Sequence, residues 1–267
     1  MMRIVMKVLV FAFAVCSFGG IVRSSVGAMH SSMSGEGEEP IDYTAQDYVM
    51  DGLVSMWDGI ENVGWGLHED SPEYWIDLVG NDSVKNYGNS ASSLYSTWFS
   101  DDALQGKPYW EYMKSSGLYD ALVSPERTVE LVTTRTSDGT TYGTANLVSG
   151  NWMQFAGYVG NRYVCRYENT TVYINPPSTA PYTWVITMSC DNGICTIYVN
   201  GNVWGTVNSG GMATPNNGAV TLGANLQRVD GTSGFASPIH SIRVYGKALS
   251  ESEVKANYKV DKARFGL

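Results

Sequence analysis

SCDNGICTIYVNGNVWG, residues 189–205, carries two Asn-Gly steps, at Asn192-Gly193 and Asn200-Gly201. An Asn-Gly pair favours a two-residue type I′ turn, because both central residues of that turn need positive φ. Each step therefore predicts a hairpin, and the alternating ICTIYV between them predicts the strand they share. With the first turn at Asn192-Gly193, Asp191 faces Ile194 and Cys190 faces Cys195. The cysteine pair falls at a non-hydrogen-bonded position, where opposed Cα atoms lie about 4.5 Å apart. A disulfide spans roughly 4.4–6.8 Å, so the pair can be bridged. Four residues separate the cysteines, not the two of a redox motif, and no further Cys or His stands nearby to complete a zinc site. A cross-strand disulfide is the expectation, and two free core thiols are the alternative. The ring is short, so the bond would act mainly on register.

Working outward, the same texture continues in both directions. GLVSMWDG (52–59), EYWIDLVG (73–80), TVELVTTRT (128–136), NWMQFAGYVG (151–160), RYVCRYEN (162–169), YTWVITMS (182–189) and SPIHSIRVYG (237–246) are short runs rich in Val, Thr, Tyr and Trp. Turn signals separate them every 8–12 residues, which predicts an all-β sandwich or barrel. Trp57, Trp75 and Trp184 alternate inside strands and are expected in the core, and Cys165 in RYVCRY is expected as a buried thiol. Residues 101–120 are less regular, with a short helix as the expectation. One clear helix ends the chain. Ser250 is its N-cap, Glu253 completes a capping box, and Gly266 stops it. Val254, Tyr258 and Phe265 are expected on its packed side.

The N-terminus reads as a signal peptide over residues 1–28. Arg3 and Lys7 precede an apolar run from Val8 to about Val22, and Val26-Gly27-Ala28 forms a small-residue cleavage site. The run is short for a span, which needs about 20 residues; an uncleaved anchor and a lipid anchor at Cys16 are the alternatives. Cleavage removes three of 17 cations and no acid, taking the net charge from −9 to −12. Such a surface repels phosphate backbones and argues against nucleic acid as a partner. Residues 29–47, acidic and Gly/Ser-rich, read as a flexible tether. Residues 48–267 then form the domain, with no membrane span left after cleavage. The expected location is secreted or at the cell surface.

The C-terminal third resembles the laminin-G-like, concanavalin A-like lectin and glucanase domains. The residues that carry the resemblance are Ile239, Ile242, Arg243, Val244, Tyr245, Lys247, Ala248, Leu249, Ser250 and Glu253, after IYVNG and VTLGA. Near the start, DGLVSMWDG and WIDLVGN resemble the same group. The resemblance implies a two-sheet antiparallel jelly-roll sandwich with a short C-terminal helix. In the motif itself, Ile239, Ile242 and Val244 make an apolar strand, while Arg243 points the other way and can pair with a carboxylate.

Some members of the resembled group hydrolyse glycosides with a Glu-x-Asp-x-x-Glu strand, whose alternation puts both carboxylates on one face. That motif is absent here; the nearest pair is Glu126 and Glu130 in ERTVELVTTRT. His30, His68 and His240 are scattered, and no Gly-x-Ser-x-Gly occurs. The resemblance implies Ca2+ as a candidate cofactor, with Asp58, Glu61, Asn62, Asp77 and Asn81 as oxygen ligands; the same residues also suit turns. It also implies carbohydrate recognition. Trp65, Tyr142, Tyr158 and Trp204, in or beside loops, are the aromatic candidates for stacking on sugar. The expected function is a non-catalytic binding domain for glycan or a surface protein, used in recognition or adhesion through rim loops. The rivals are a structural or assembly module of a surface or viral appendage, and a divergent glycoside hydrolase.

Overall fold

The computed structural model describes residues 42–70, 72–87, 97–100, 103–105, 109–111, 120–122, 124–135, 145–148, 152–159, 162–167, 170–175, 181–208, 220–222 and 238–267. The signal segment, most of the predicted tether and Tyr142 lie outside them. Tyr158 lies in a described strand, but its side chain is outside the description.

Both Asn-Gly steps form turns. Asn192 and Gly193 take φ of 46° and 87°, and Asn200 and Gly201 take 50° and 73°. Cys190 opposes Cys195 in register, and the two are joined by a disulfide. Cys165 is a buried free thiol.

Among the described residues there are sixteen strands. The first eight are β1 (Leu53–Asp58), β2 (Tyr74–Trp75), β3 (Val84–Tyr87), β4 (Thr97–Ser100), β5 (Ala103–Gln105), β6 (Tyr109–Glu111), β7 (Arg127–Arg135) and β8 (Ala145–Val148). The rest are β9 (Trp152–Val159), β10 (Arg162–Tyr167), β11 (Thr170–Ile174), β12 (Tyr182–Asp191), β13 (Ile194–Val199), β14 (Asn202–Asn208), β15 (Val220–Leu222) and β16 (Ile239–Tyr245). Within 101–120, residues 103–105 and 109–111 form β5 and β6, Asp120 opens a helical stretch that runs through Leu122, and the other positions lie outside the described residues. The two strands are only three residues long, β5 pairing with β4 and the distant β16 and β6 with the distant β3 and β15, so no local period could show them.

The strands form two antiparallel sheets. The first runs β14-β13-β12-β7-β16-β5-β4, with β1 also paired to β16; the second runs β11-β10-β9-β8-β15-β6-β3-β2. One apolar cluster joins them. Trp57, Leu131, Trp184, Ile186 and Ile242 come from the first sheet, and Trp75, Cys165 and Ile174 from the second. The disulfide lies in the same cluster, with both cysteines fully buried. This is the all-β fold with a C-terminal helix that the sequence predicts.

The other face of the first sheet is covered as well. The helix α1 (Glu251–Phe265) starts at Ser250, whose hydroxyl and backbone N–H exchange hydrogen bonds with Glu253, and ends at Gly266 in the left-handed region. A second cluster, containing Met56, Tyr198, Tyr245, Leu249, Val254, Val260, Tyr48 and Ala45, lies beneath it. Residues 42–47 therefore do not belong to a free tether. Thr44 caps a short 3-10 turn at Ala45–Asp47, Ala45 is fully buried, and its N–H donates to Glu61 at 2.8 Å. The compact unit runs from Pro40 to Leu267. Composition alone missed this, because a few buried anchors suffice to dock a polar segment.

Candidate functional site

Among the described residues, two places that combine aromatic rings with charge bear on the candidate residues. The first lies under α1. All seven residues of β16 are buried, because sheet two covers one face and the helix the other. Arg243 is thus fully buried. Its Nε donates to Glu130 at 2.9 Å, and Nη1 and Nη2 donate to the two carboxylate oxygens of Asp261 at 2.8 and 2.7 Å. The guanidinium lies 3.9 Å from the centre of the Tyr48 ring, and the Tyr48 hydroxyl donates to Asp261 at 2.7 Å. Asn257 and Thr187 also donate to Glu130, at 2.7 and 3.1 Å.

Burial raises the Glu130 carboxyl above its ordinary range, against the pull of Arg243. The same burial opposes the Arg243 charge, but the Asp261 and Glu130 carboxylates override it and raise its pKa well above the usual guanidinium range. Glu130 is therefore an acceptor in a closed ionic network. Glu126, its partner in the nearest hydrolase-like pair, is exposed. The packed side of α1 also differs from the expectation. Val254 is buried, but the other buried positions are Asn257, Val260 and Asp261. Tyr258 packs against the Gly201 turn, and the ring of Phe265 lies 5.3 Å from that of His240.

The predicted calcium ligands are dispersed among separate tasks. Asp58 is buried and accepts from both terminal nitrogens of Arg264 at 2.7 and 2.9 Å, and from the N–H groups of Ile60 and Glu61 at 3.0 Å. Asn62 closes the loop above β1, exchanging hydrogen bonds with the backbone of Glu69 at 2.8 and 2.9 Å. Asp77 Oδ1 accepts from Met56, Val79 and Gly80 at 2.9–3.0 Å. Its Oδ2 is buried with no hydrogen-bond partner. Asn81 is exposed. Among the described residues, no three His, Cys, Asp or Glu side chains are grouped to hold a metal ion. Glu61 accepts from the Ala45 and Gly66 N–H groups and from Arg264, so as a set the five residues do not fit calcium: a cation at Asp58 and Glu61 would have to displace a guanidinium.

The second place is the edge where the sheets meet at β14 and β11, each the last strand of its sheet. Val203 opposes Tyr198 while Gly205 opposes Ile197, so Trp204 is the extra residue of a β-bulge. A bulge on an edge strand re-aims a side chain, and here two successive residues, Val203 and Trp204, are both exposed. The Trp204 indole N–H reaches across to the second sheet and donates to the Tyr173 carbonyl at 3.1 Å. That bond satisfies an acceptor on an open sheet edge and fixes the indole beside Tyr173. Trp204 and Tyr173 remain 46% and 43% exposed. Over the Tyr173 ring, 4.0 Å from its centre, lies the guanidinium of the exposed Arg162.

Of the four predicted aromatics, the structure thus presents Trp204. Trp65 is half-buried and packs against the cluster under α1, because its loop folds back through Glu61, which accepts from the Gly66 N–H at 2.8 Å. Tyr173 and Arg162 went unnoticed in the sequence. TTVYIN signals a strand, but nothing local says that this strand ends a sheet, or that β14 lies alongside it.

Residues 124–255 match the family model described as the Concanavalin A-like lectin/glucanases superfamily. Among solved structures, the fold is similar to domain 4 of AbnA, a GH43 extracellular arabinanase from Geobacillus stearothermophilus, in complex with arabinotriose. Identity is 17%, over 77% of this chain and 98% of that one, with a TM-score of 0.54. It is also similar to Trypanosoma rangeli sialidase in complex with sialic acid, at 11% identity, 80% and 33% coverage and a TM-score of 0.51. The binding domain of botulinum neurotoxin DC in complex with SialylT matches at 13% identity, 78% and 51% coverage and a TM-score of 0.53. The chain thus spans a third of the sialidase and about half of the toxin domain. A comparison with curated proteins finds no match. The family match thus covers residues 124–255, just under half of the 267 residues, and includes the C-terminal motif from Ile239 to Glu253.

Proposed function

We propose that this is a non-catalytic glycan-binding domain that works outside the cytosol and holds sugar at the β11/β14 edge. The observation that carries the reading is the Trp204 indole, held beside Tyr173 yet left nearly half exposed. The apolar C–H face of a pyranose or furanose ring stacks on such a surface. An aromatic fixed in place by its own hydrogen bond loses little freedom on binding. The similar arabinanase domain and sialidase are seen in complex with arabinotriose and sialic acid, and they support this ligand class. The proposal places the site on a sheet edge rather than on the rim loops.

Non-catalysis is supported by Glu130, whose oxygens accept from Arg243, Asn257 and Thr187 rather than facing a cleft. Export is supported by the N-terminal segment and by a disulfide that an oxidising compartment would maintain. No helix of the described residues is long and apolar enough to cross a membrane.

The test is a glycan array with wild type and Trp204→Ala, repeated with a chelator. The expected result is binding that survives the chelator and falls at least about tenfold in the variant, as loss of one stacking ring does. A blank array with folded wild type would remove the reading. Protein recognition is the second reading, favoured by Ile194 and Val203, which are more than half exposed on the neighbouring strands. A related toxin binding domain is seen in complex with rat synaptotagmin II.

A further inference from the structure

We infer that the sugar recognised at the β11/β14 edge carries an isolated carboxylate, taken by Arg162. This rests on the glycan reading above and names the class of glycan. Arg162 and Tyr173 stand on adjacent strands of the second sheet. Tyr173 opposes Val164, two residues on from Arg162, so the stack is a diagonal cross-strand contact. A guanidinium stacked on a ring has one flat face covered. Its N–H donors lie in the plane and stay available at the edge. Among the described residues no carboxylate pairs with Arg162, and the polar or ring interaction of its side chain is the stack on Tyr173.

The neighbouring Trp204 supplies a hydrophobic floor tied to the same strand through the Tyr173 carbonyl. A planar donor fork beside an aromatic floor fits a sugar whose ring stacks while its carboxylate receives two parallel N–H bonds. Stacking on Tyr173 also holds the guanidinium in one orientation, so less freedom is lost when the carboxylate arrives. The net charge of −9 sets the other limit. A polyanion would be repelled by the surface as a whole, whereas one carboxylate feels chiefly the cation beside it. At about 0.1 M salt, charges beyond roughly 10 Å are screened. The ligand is therefore a glycan with a single acidic residue, a terminal sialic acid or one hexuronate on a neutral chain.

The experiment compares matched pairs by isothermal titration: 3′-sialyllactose against lactose, and a glucuronate-capped xylo-oligosaccharide against the uncapped one. The quantity read is the ratio of acid to neutral affinity in wild type, Arg162→Gln, Arg162→Lys and Trp204→Ala. The expected wild-type ratio is about tenfold or more for one of the pairs, the strength of a charge-assisted bidentate contact. Which pair shows it tells sialic acid from hexuronate. Arg162→Gln is expected to bring the ratio close to one, and Arg162→Lys, which keeps the charge but loses the fork, to leave an intermediate value. Acid and neutral sugars that bind alike, with loss in Trp204→Ala, would overturn the carboxylate inference and leave the glycan reading standing. A wild-type preference that persists in Arg162→Gln would also overturn it. Absence of binding to all four sugars overturns it as well, and the wider array then decides the glycan reading separately.

Discussion

Among the described residues, two Arg-on-Tyr stacks have nearly equal distances and opposite surroundings. Arg243 lies 3.9 Å from the Tyr48 ring centre, and Arg162 lies 4.0 Å from that of Tyr173. Around Arg243, four of the five N–H donors are taken by Glu130, Asp261 and Ser241, and the side chain is fully buried beneath α1. Around Arg162 the donors face water, beside an indole that is also exposed. A cation over a ring is therefore neither structural nor functional by its geometry. What decides is whether its remaining hydrogen-bonding capacity is already filled. The buried stack closes the fold, and the exposed one keeps its donors for something else.

The strongest way to break this contrast is Arg243→Met. It leaves Glu130 and Asp261 buried without their cation, and such uncompensated charges cost about 3–5 kcal/mol. Urea unfolding should show that loss, and a change below about 1 kcal/mol would mean that the network does not hold α1 in place. The double substitution Cys190→Ala/Cys195→Ala comes next. It opens a short ring and should lower stability by about 2 kcal/mol in the chain-entropy account, with the hairpin register read by amide exchange.

At the far end of the helix the effect is smaller and depends on pH. The hydrogen bond from Lys247 and those from Ser250 lower the Glu253 carboxyl from 4.5 to about 2 in the folded protein. Its contribution is complete above pH 4.5, where the unfolded group is also ionised, and is lost as pH falls towards 2. Glu253→Gln should flatten that part of the stability profile and leave neutral pH little changed. The smallest stability effect is expected for Trp204→Ala, within about 1 kcal/mol, as for most exposed positions. The same variant should lose sugar binding on the array. A large stability loss without a binding loss would move Trp204 from the exposed class to the structural one.

Much of the fold was legible because its rules are local. Asn-Gly fixes the sign of φ at two residues, and the turn then dictates that Cys190 meets Cys195. Ser250 and Glu253 are three residues apart and satisfy each other's backbone groups whatever lies beyond. The motif from Ile239 to Glu253 was read correctly as fold-keeping, with Arg243 set to pair with a carboxylate. The aromatic candidates fared less evenly. Trp204 followed a visible turn and is exposed, whereas Trp65, between glycines, is drawn inward by Glu61 and the cluster under α1.

The sequence by itself determined the hairpins, the disulfide, the helix with both its caps, and the family likeness of the C-terminal third. Each of these depends on residues within a few positions of one another. Only the tertiary structure decided that Glu130 and Asn257, 127 positions apart, share one buried network. It alone brought Trp204 to Tyr173, 31 positions away and in the other sheet. Those encounters depend on which strands end up at the sheet edges and which face the helix covers, and no local preference of the chain encodes either.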